Sequence, residues 1–228
     1  MIQRHYCANL NQLAADFTDY SASILRDALA KHRKISLVVP GGNTPRHYLP
    51  LLGRQVLRWQ DVVVTLSDER WVDASTAASN ERLINQHFLA YMPEPADFVG
   101  LKTDHDKPDQ AIETVNRRLV NTPIPFNLTV LGLGEDGHIA SLFPGMNPDI
   151  ESDLLCVAIE PPVAPSPRIS LSLPLLARSR NIIIVVTGAT KRQLINELTR
   201  SAPDQKIPFV WLMLHCHSPI IIFETDDA

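Results

Sequence analysis

The sequence predicts an α/β protein whose central sheet is covered by helices on both faces. Two observations carry that expectation. Apolar runs of strand length alternate with segments of helical spacing, the order that builds βα units. Four of those runs are apolar almost throughout rather than at every second residue, as strands buried on both faces require.

The elements follow in order. Leu10, Leu13, Phe17, Ile24, Leu25 and Leu29 recur with the period of an amphipathic helix. Residues 34–39 then read as a buried strand, ended by Pro40-Gly41-Gly42. A helix over 46–57 follows, with Thr44 as N-cap and Pro45 at its first position. Residues 62–66 form a second strand that opens into Ser67-Asp68-Glu69-Arg70. Ser79 caps a helix over 80–91, residues 111–120 form another, and 126–131 are a third apolar strand. Helical propensity resumes over 139–142 until Pro144-Gly145 stops it. Residues 154–159 and 181–187 read as strands, 190–200 as a helix and 219–223 as the last strand. Proline-rich turns at 93–95 and 161–165 interrupt the pattern without changing the character of the strands. One α/β domain over residues 1–228, with a small excursion near 93–105, is the expected organisation.

Bulk properties narrow the function classes. At 228 residues the chain can bury a substantial core. Its 21 basic and 25 acidic residues give a net charge of −4, so nothing draws it as a whole to nucleic acid or an anionic membrane. An anionic ligand must therefore be held by local groups. Cys7, Cys156 and Cys216 are odd in number and lack metal spacing, which suits a reducing cytoplasm. The first residues resemble no signal peptide, and no run of about 18 apolar residues offers a membrane span.

Chemistry concentrates in a few places. An apolar strand runs into Gly132-Leu133-Gly134-Glu135-Asp136-Gly137-His138, a position where loops carry catalytic groups. A neutral imidazole, with an ordinary pKa of about 6.5, can take a proton from water near neutral pH. Asp136 is a candidate to fix the tautomer of His138; the bland alternative is a histidine that caps a short helix. Gly41, Gly42, Asn43 and Thr44 link a strand to a helix start, where free N–H groups favour an anion, although many such turns are only turns. Asp68-Glu69-Arg70 is either functional or an ion-pair cluster that caps Ser79-Asn80. Arg168 and Lys191 sit at loop ends that the topology can bring to the same anion. The histidines of His215-Cys216-His217 would share one face of an extended segment, but no third ligand stands at a zinc spacing, so no metal is expected. Trp59, Trp71 and Trp211 supply core or interface area.

Five ordered segments resemble the glucosamine-6-phosphate isomerase/6-phosphogluconolactonase family. They are Gly41-Gly42-Asn43-Thr44-Pro45, Ser67 to Val72 followed by Ser79-Asn80, the His138 motif, Arg168-Ile169-Ser170-Leu171, and Gly188-Ala189-Thr190-Lys191-Arg192. The resemblance implies a modified doubly wound, mainly parallel, Rossmann-like sheet. It implies hydrolysis of 6-phospho-D-glucono-1,5-lactone in the oxidative pentose phosphate route, without cofactor. On that basis His138 is the general base and Asp136 its partner. The turn at 41–44, Arg168 and Lys191 hold the phosphate, and Arg70 serves phosphate or oxyanion. Asp68 and Asn80 orient sugar hydroxyls or His138.

Within the same fold, glucosamine-6-phosphate deaminases resemble this chain but carry an acid where Phe143 stands and a tyrosine where Arg70 stands. A non-enzymatic sugar-phosphate sensor would keep the anion groups and need no base. The sequence leaves the oligomeric state open.

Overall fold

The computed structural model describes residues 2–146, 153–162, 166–200 and 202–228. Seven strands form a sheet in which every neighbouring pair is parallel. Their order is β1 (Ile2–Tyr6), β10 (Ile220–Thr225), β9 (Ile182–Thr187), β6 (Leu128–Gly132), β2 (Ile35–Val39), β3 (Val62–Leu66) and β5 (Asp97–Val99). Every residue of β2, β3 and β10 is buried, the burial expected of strands covered on both faces.

Helix α1 (Leu10–Lys31) lays Leu13, Phe17, Leu25 and Leu29 on β2, β6 and β10, and packs beside α2 (Pro45–Gly53). Asn9 caps it by accepting from the Gln12 amide at 2.9 Å. α3 (Asn80–His87) and α4 (Pro108–Leu119) follow, and then α5 (Leu173–Ala177). α6 (Ala189–Arg200) packs on β9 and β10, and α7 (Pro208–His215) packs on α5. No helix among the described residues is long and apolar enough to cross a membrane.

A second sheet escapes the sequence reading. β4 (Asp68–Arg70), β8 (Arg168–Leu171) and β7 (Cys156–Ile159) pair antiparallel, with β8 in the middle. β3 runs into β4 through Ser67, whose amide donates to the Val39 carbonyl at 2.9 Å while its own carbonyl accepts from Leu171 at 2.8 Å. One buried residue is thus bonded to both sheets. The charged triplet 68–70 looks like a loop in sequence, yet it is a strand because its two carboxylates are satisfied inside.

Other expectations need correction. The stretch near 93–105 is no excursion, since β5 is the edge of the main sheet beside β3. Residues 139–142 form no helix. Ile139 and Leu142 make an isolated bridge, and Ala140 takes a left-handed φ of 51° between them. Thr44 makes no side-chain cap; its hydroxyl lies 3.1 Å from that of Thr187. α2 stops at Gly53, where a Cβ would sit 2.7 Å from the Phe88 carbonyl. The helix expected to reach residue 91 breaks at Phe88, which buries edge-on against Trp59. His215 ends a helix rather than lying in an extended segment, so the two histidines do not alternate along a strand. Of the proline-rich turn at 161–165, residues 163–165 lie outside the described residues.

Candidate active site

A cleft of about 800 Å³ opens where β2, β6 and β9 end, against the small sheet. The carboxyl ends of parallel strands are where this architecture leaves room for ligands. Every site residue expected from the sequence lines it. Gly41, Gly42, Asn43 and Thr44 come from the turn after β2, and Asp68 and Arg70 from β4. Asn80 opens α3, Asp136 and His138 follow β6, Arg168 starts β8, and Lys191 lies in the first turn of α6.

The loop after β6 folds back on itself. The Gly134 amide donates to the His138 carbonyl at 2.9 Å, and Gly137, at φ 84°, donates to the Gly134 carbonyl at 3.1 Å. Asp136 Oδ1 accepts from the His138 amide at 3.0 Å and lies 2.6 Å from ring Nδ1. With Nδ1 as the donor to this carboxylate, Nε2 keeps a free lone pair. Burial pushes the Asp136 carboxyl up. The His138 amide bond, the attraction of its ring and the ring hydrogen bond outweigh that, and hold it below its ordinary value. A Cβ on Gly134 would stand 2.0 Å from Nδ1, so only glycine lets the ring sit there. The Phe143 ring packs against the imidazole at 4.8 Å between centroids.

Positive charge gathers on the other wall. Arg70 and Arg168 stand opposite each other in the β4–β8 register, where like charges repel. Arg70 Nη1 donates to Asn80 Oδ1 and to the Ala78 carbonyl, both at 2.9 Å. Arg168 is far less satisfied. Its Nη1 reaches Ser141 Oγ at 3.4 Å, and its buried Nε has no partner among the described residues. Burial, and then the charge of Arg70, lower its pKa, with Asp68 and Glu69 opposing. Lys191 is half-buried and makes no ion pair or hydrogen bond among the described residues. An anion against Arg70 and Arg168 would relieve their repulsion, and Lys191 lines the same cleft.

The carboxylates of β4 face inward to other tasks. Glu69 accepts from the amides of Arg70, Asn80 and Glu81 at 2.7, 2.8 and 2.7 Å, and from Ser79 Oγ at 3.0 Å. It seats the start of α3, the capping role weighed for this triplet. Burial pushes its carboxyl up, and the four donors only partly pull it back. Asp68 accepts from Ser67 Oγ at 2.8 Å and Ser141 Oγ at 2.6 Å. Neither Asp68 nor Asn80 bonds His138, whose partner is Asp136. Ser141 was invisible in the sequence, because a serine inside an apolar run carries no signal of what it will touch.

The His215 ring stacks on Trp211 at 4.1 Å, with Nδ1 2.8 Å from the Trp211 carbonyl oxygen. Among the described residues no group of three or more His, Cys, Asp or Glu side chains is placed to hold a metal.

Comparison with known proteins joins these observations. The chain is 37% identical to the 6-phosphogluconolactonase of Caulobacter vibrioides, across 79% of this chain and 82% of that protein. It is 35% identical to that of Pseudomonas putida, across 97% and 92%. The crystal structure of a 6-phosphogluconolactonase from Shewanella baltica OS155 aligns at TM-score 0.93 and 33% identity, covering 99% and 98% of the two chains. A monomeric glucosamine-6-phosphate deaminase, 16% identical, shares the fold at TM-score 0.81. The family model for glucosamine-6-phosphate isomerases/6-phosphogluconolactonase matches residues 8–220. On these matches, the chain belongs to the glucosamine-6-phosphate isomerase/6-phosphogluconolactonase family.

Proposed function

We propose that this protein is an enzyme that hydrolyses 6-phospho-D-glucono-1,5-lactone to 6-phosphogluconate, with His138 as general base. One observation carries the reading: a histidine tied at Nδ1 by Asp136 shares a cleft with Arg70, Arg168 and Lys191. A base and an anion grip in one cavity match a substrate with a reactive carbonyl at one end and a phosphate at the other.

The chemistry needs an activated water, stabilisation of the tetrahedral oxygen and a positioned substrate. Nε2 of His138 takes a proton from water as the water oxygen bonds to the lactone carbon. The tetrahedral intermediate collapses by breaking the bond to the ring oxygen, which receives the proton back from the imidazolium. The products are a hydroxyl and a carboxylic acid that ionises in water. Asp136 holds the ring and stabilises the imidazolium while it exists. Arg168, Lys191 and the Gly41–Thr44 turn bind the phosphate, and Arg70 adds charge from the strand beside Arg168. Asp68 and Asn80, both engaged within the protein, line the cleft and set the groups around it, Asp68 holding Ser141 and Asn80 holding Arg70. No cofactor enters this sequence. Three free thiols, Cys7, Cys156 and Cys216, accord with a cytoplasmic setting.

Phe143 has no group to move a proton where the related deaminases carry an acid, so deamination is not expected. The test follows lactone hydrolysis by the purified protein above the spontaneous rate, with ammonia release from glucosamine-6-phosphate measured alongside. Accelerated hydrolysis without ammonia is the expected result. Ammonia release without lactone hydrolysis would overturn the reading, and phosphogluconate binding without turnover would make the protein a sensor.

A further inference from the structure

Arg168 and Asp68 ought to form an ion pair, and they do not. In the β4–β8 register Asp68 faces Ser170 and Arg70 faces Arg168, which makes Asp68 and Arg168 diagonal neighbours on one face. Long side chains span that diagonal. Yet the Arg168 fork makes no bond to Asp68. The hydroxyl of Ser141 lies between them, donating to Asp68 Oδ2 at 2.6 Å and accepting from Arg168 Nη1 at 3.4 Å. Ser141 is fully buried, and its own amide reaches Ser170 Oγ at 3.4 Å.

The geometry explains how the serine reaches this point. Ala140 turns the chain through its left-handed conformation immediately before Ser141. Phe143, two residues on, packs against His138. The same short loop therefore supports the imidazole and inserts a hydroxyl into the small sheet. A serine oxygen carries one donor and can accept as well, so it satisfies Asp68 while taking little from the guanidinium. A carboxylate in direct contact would instead occupy two donors of the fork and cancel its charge.

We propose that Ser141 is a positioning residue that holds Arg168 off Asp68 and so keeps the guanidinium available to the substrate phosphate. The proposal rests on the reading that Arg168 binds that phosphate. It assigns Ser141 no contact with substrate.

Calorimetry with 6-phosphogluconate and with inorganic phosphate tests it, on wild type and on Ser141→Ala, Asp68→Asn, Ser141→Ala/Asp68→Asn and Arg168→Ala. In Ser141→Ala the arginine closes on Asp68, and both ligands should bind about tenfold more weakly, the scale of one charge-assisted contact. KM for the lactone should rise in step while kcat changes little. In the Asp68→Asn background the closing partner has lost its charge, so the Ser141→Ala step should no longer weaken binding. Equal weakening in both backgrounds would mean lost packing alone and would overturn the proposal, as would wild-type affinity in Ser141→Ala. Should Ser141→Ala not fold, Ser141→Cys fills the site with a far weaker donor and acceptor and supports the same comparison. Arg168→Ala separates the two layers. If it weakens phosphate binding and Ser141→Ala does not, only the role of Ser141 fails. If it leaves phosphate binding unchanged, the anchor reading fails and the proposal with it.

Discussion

Gly41 lies so close to Asn80 that a Cβ on it would stand 1.9 Å from the Asn80 side-chain oxygen. That amide is already engaged, its Nδ2 donating to the Asp68 carbonyl at 2.8 Å and its Oδ1 accepting from Arg70 at 2.9 Å. The glycine is therefore required less for the turn itself than for the space that Asn80 fills. Gly41→Ala should push the amide off both partners, costing about 1–3 kcal/mol of stability, the usual scale of overpacking. KM should also rise as Arg70 loses its hold. Urea denaturation checks the first effect and steady-state kinetics the second. Shortening the neighbour tests the cause: in an Asn80→Ala background the Gly41→Ala step should cost little more.

His138→Ala removes the proposed base and leaves the anion groups in place. The expected loss in kcat is about 10²–10⁴-fold, typical of general acid–base catalysis, with affinity for 6-phosphogluconate nearly unchanged. Turnover close to wild type in a folded variant would exclude the assignment.

Asp136 makes stability depend on pH with a definite sign. Its carboxyl is held below its ordinary value in the folded chain, so the stabilisation is present above the unfolded pKa of about 3.9 and is lost as pH falls through the folded one. Asp136→Asn should accordingly melt below wild type at neutral pH. The gap between the two melting temperatures should close as the pH is taken below the carboxylate range. A gap that persisted there would assign the effect to shape rather than charge.

Lys191 is a cation on the cleft wall without a protein partner among the described residues, which leaves it free for substrate. Lys191→Ala should raise KM by about tenfold, the worth of one charge-assisted contact, without unfolding the protein. Added salt should narrow the difference between variant and wild type, because the lost interaction is electrostatic and partly exposed.

The parallel sheet was legible because buried strands announce themselves by composition. Residues 35–39, 62–66 and 182–187 are apolar enough that no other placement suits them. The small sheet was not, because β4 is made of Asp68, Glu69 and Arg70, and nothing local reveals that two acids will be buried on hydroxyls and amides. β5 hides for a related reason: it is three residues long and lies at an edge just after Pro93 and Pro95. The site was more legible than its scaffold, since glycine, histidine and arginine at strand ends carry their own warrant. Its supporting residues carried none. Ser141 reads as one small residue among apolar neighbours, and the bond it makes joins positions far apart in the chain.

Ser67 is bonded to both sheets, and the cleft takes His138 from the strand ends of one and Arg70 and Arg168 from the other. A ligand that touches both walls acts as a brace across that seam. Because only the folded chain offers both walls, such a ligand adds about 2.7 kcal/mol of stability when it is present at a hundred times its Kd. Amide protons of β4 and β8 should exchange more slowly when 6-phosphogluconate is bound, even those far from any atom of the sugar. Resistance to heat should accordingly rise with added 6-phosphogluconate, read as a concentration-dependent shift in melting temperature.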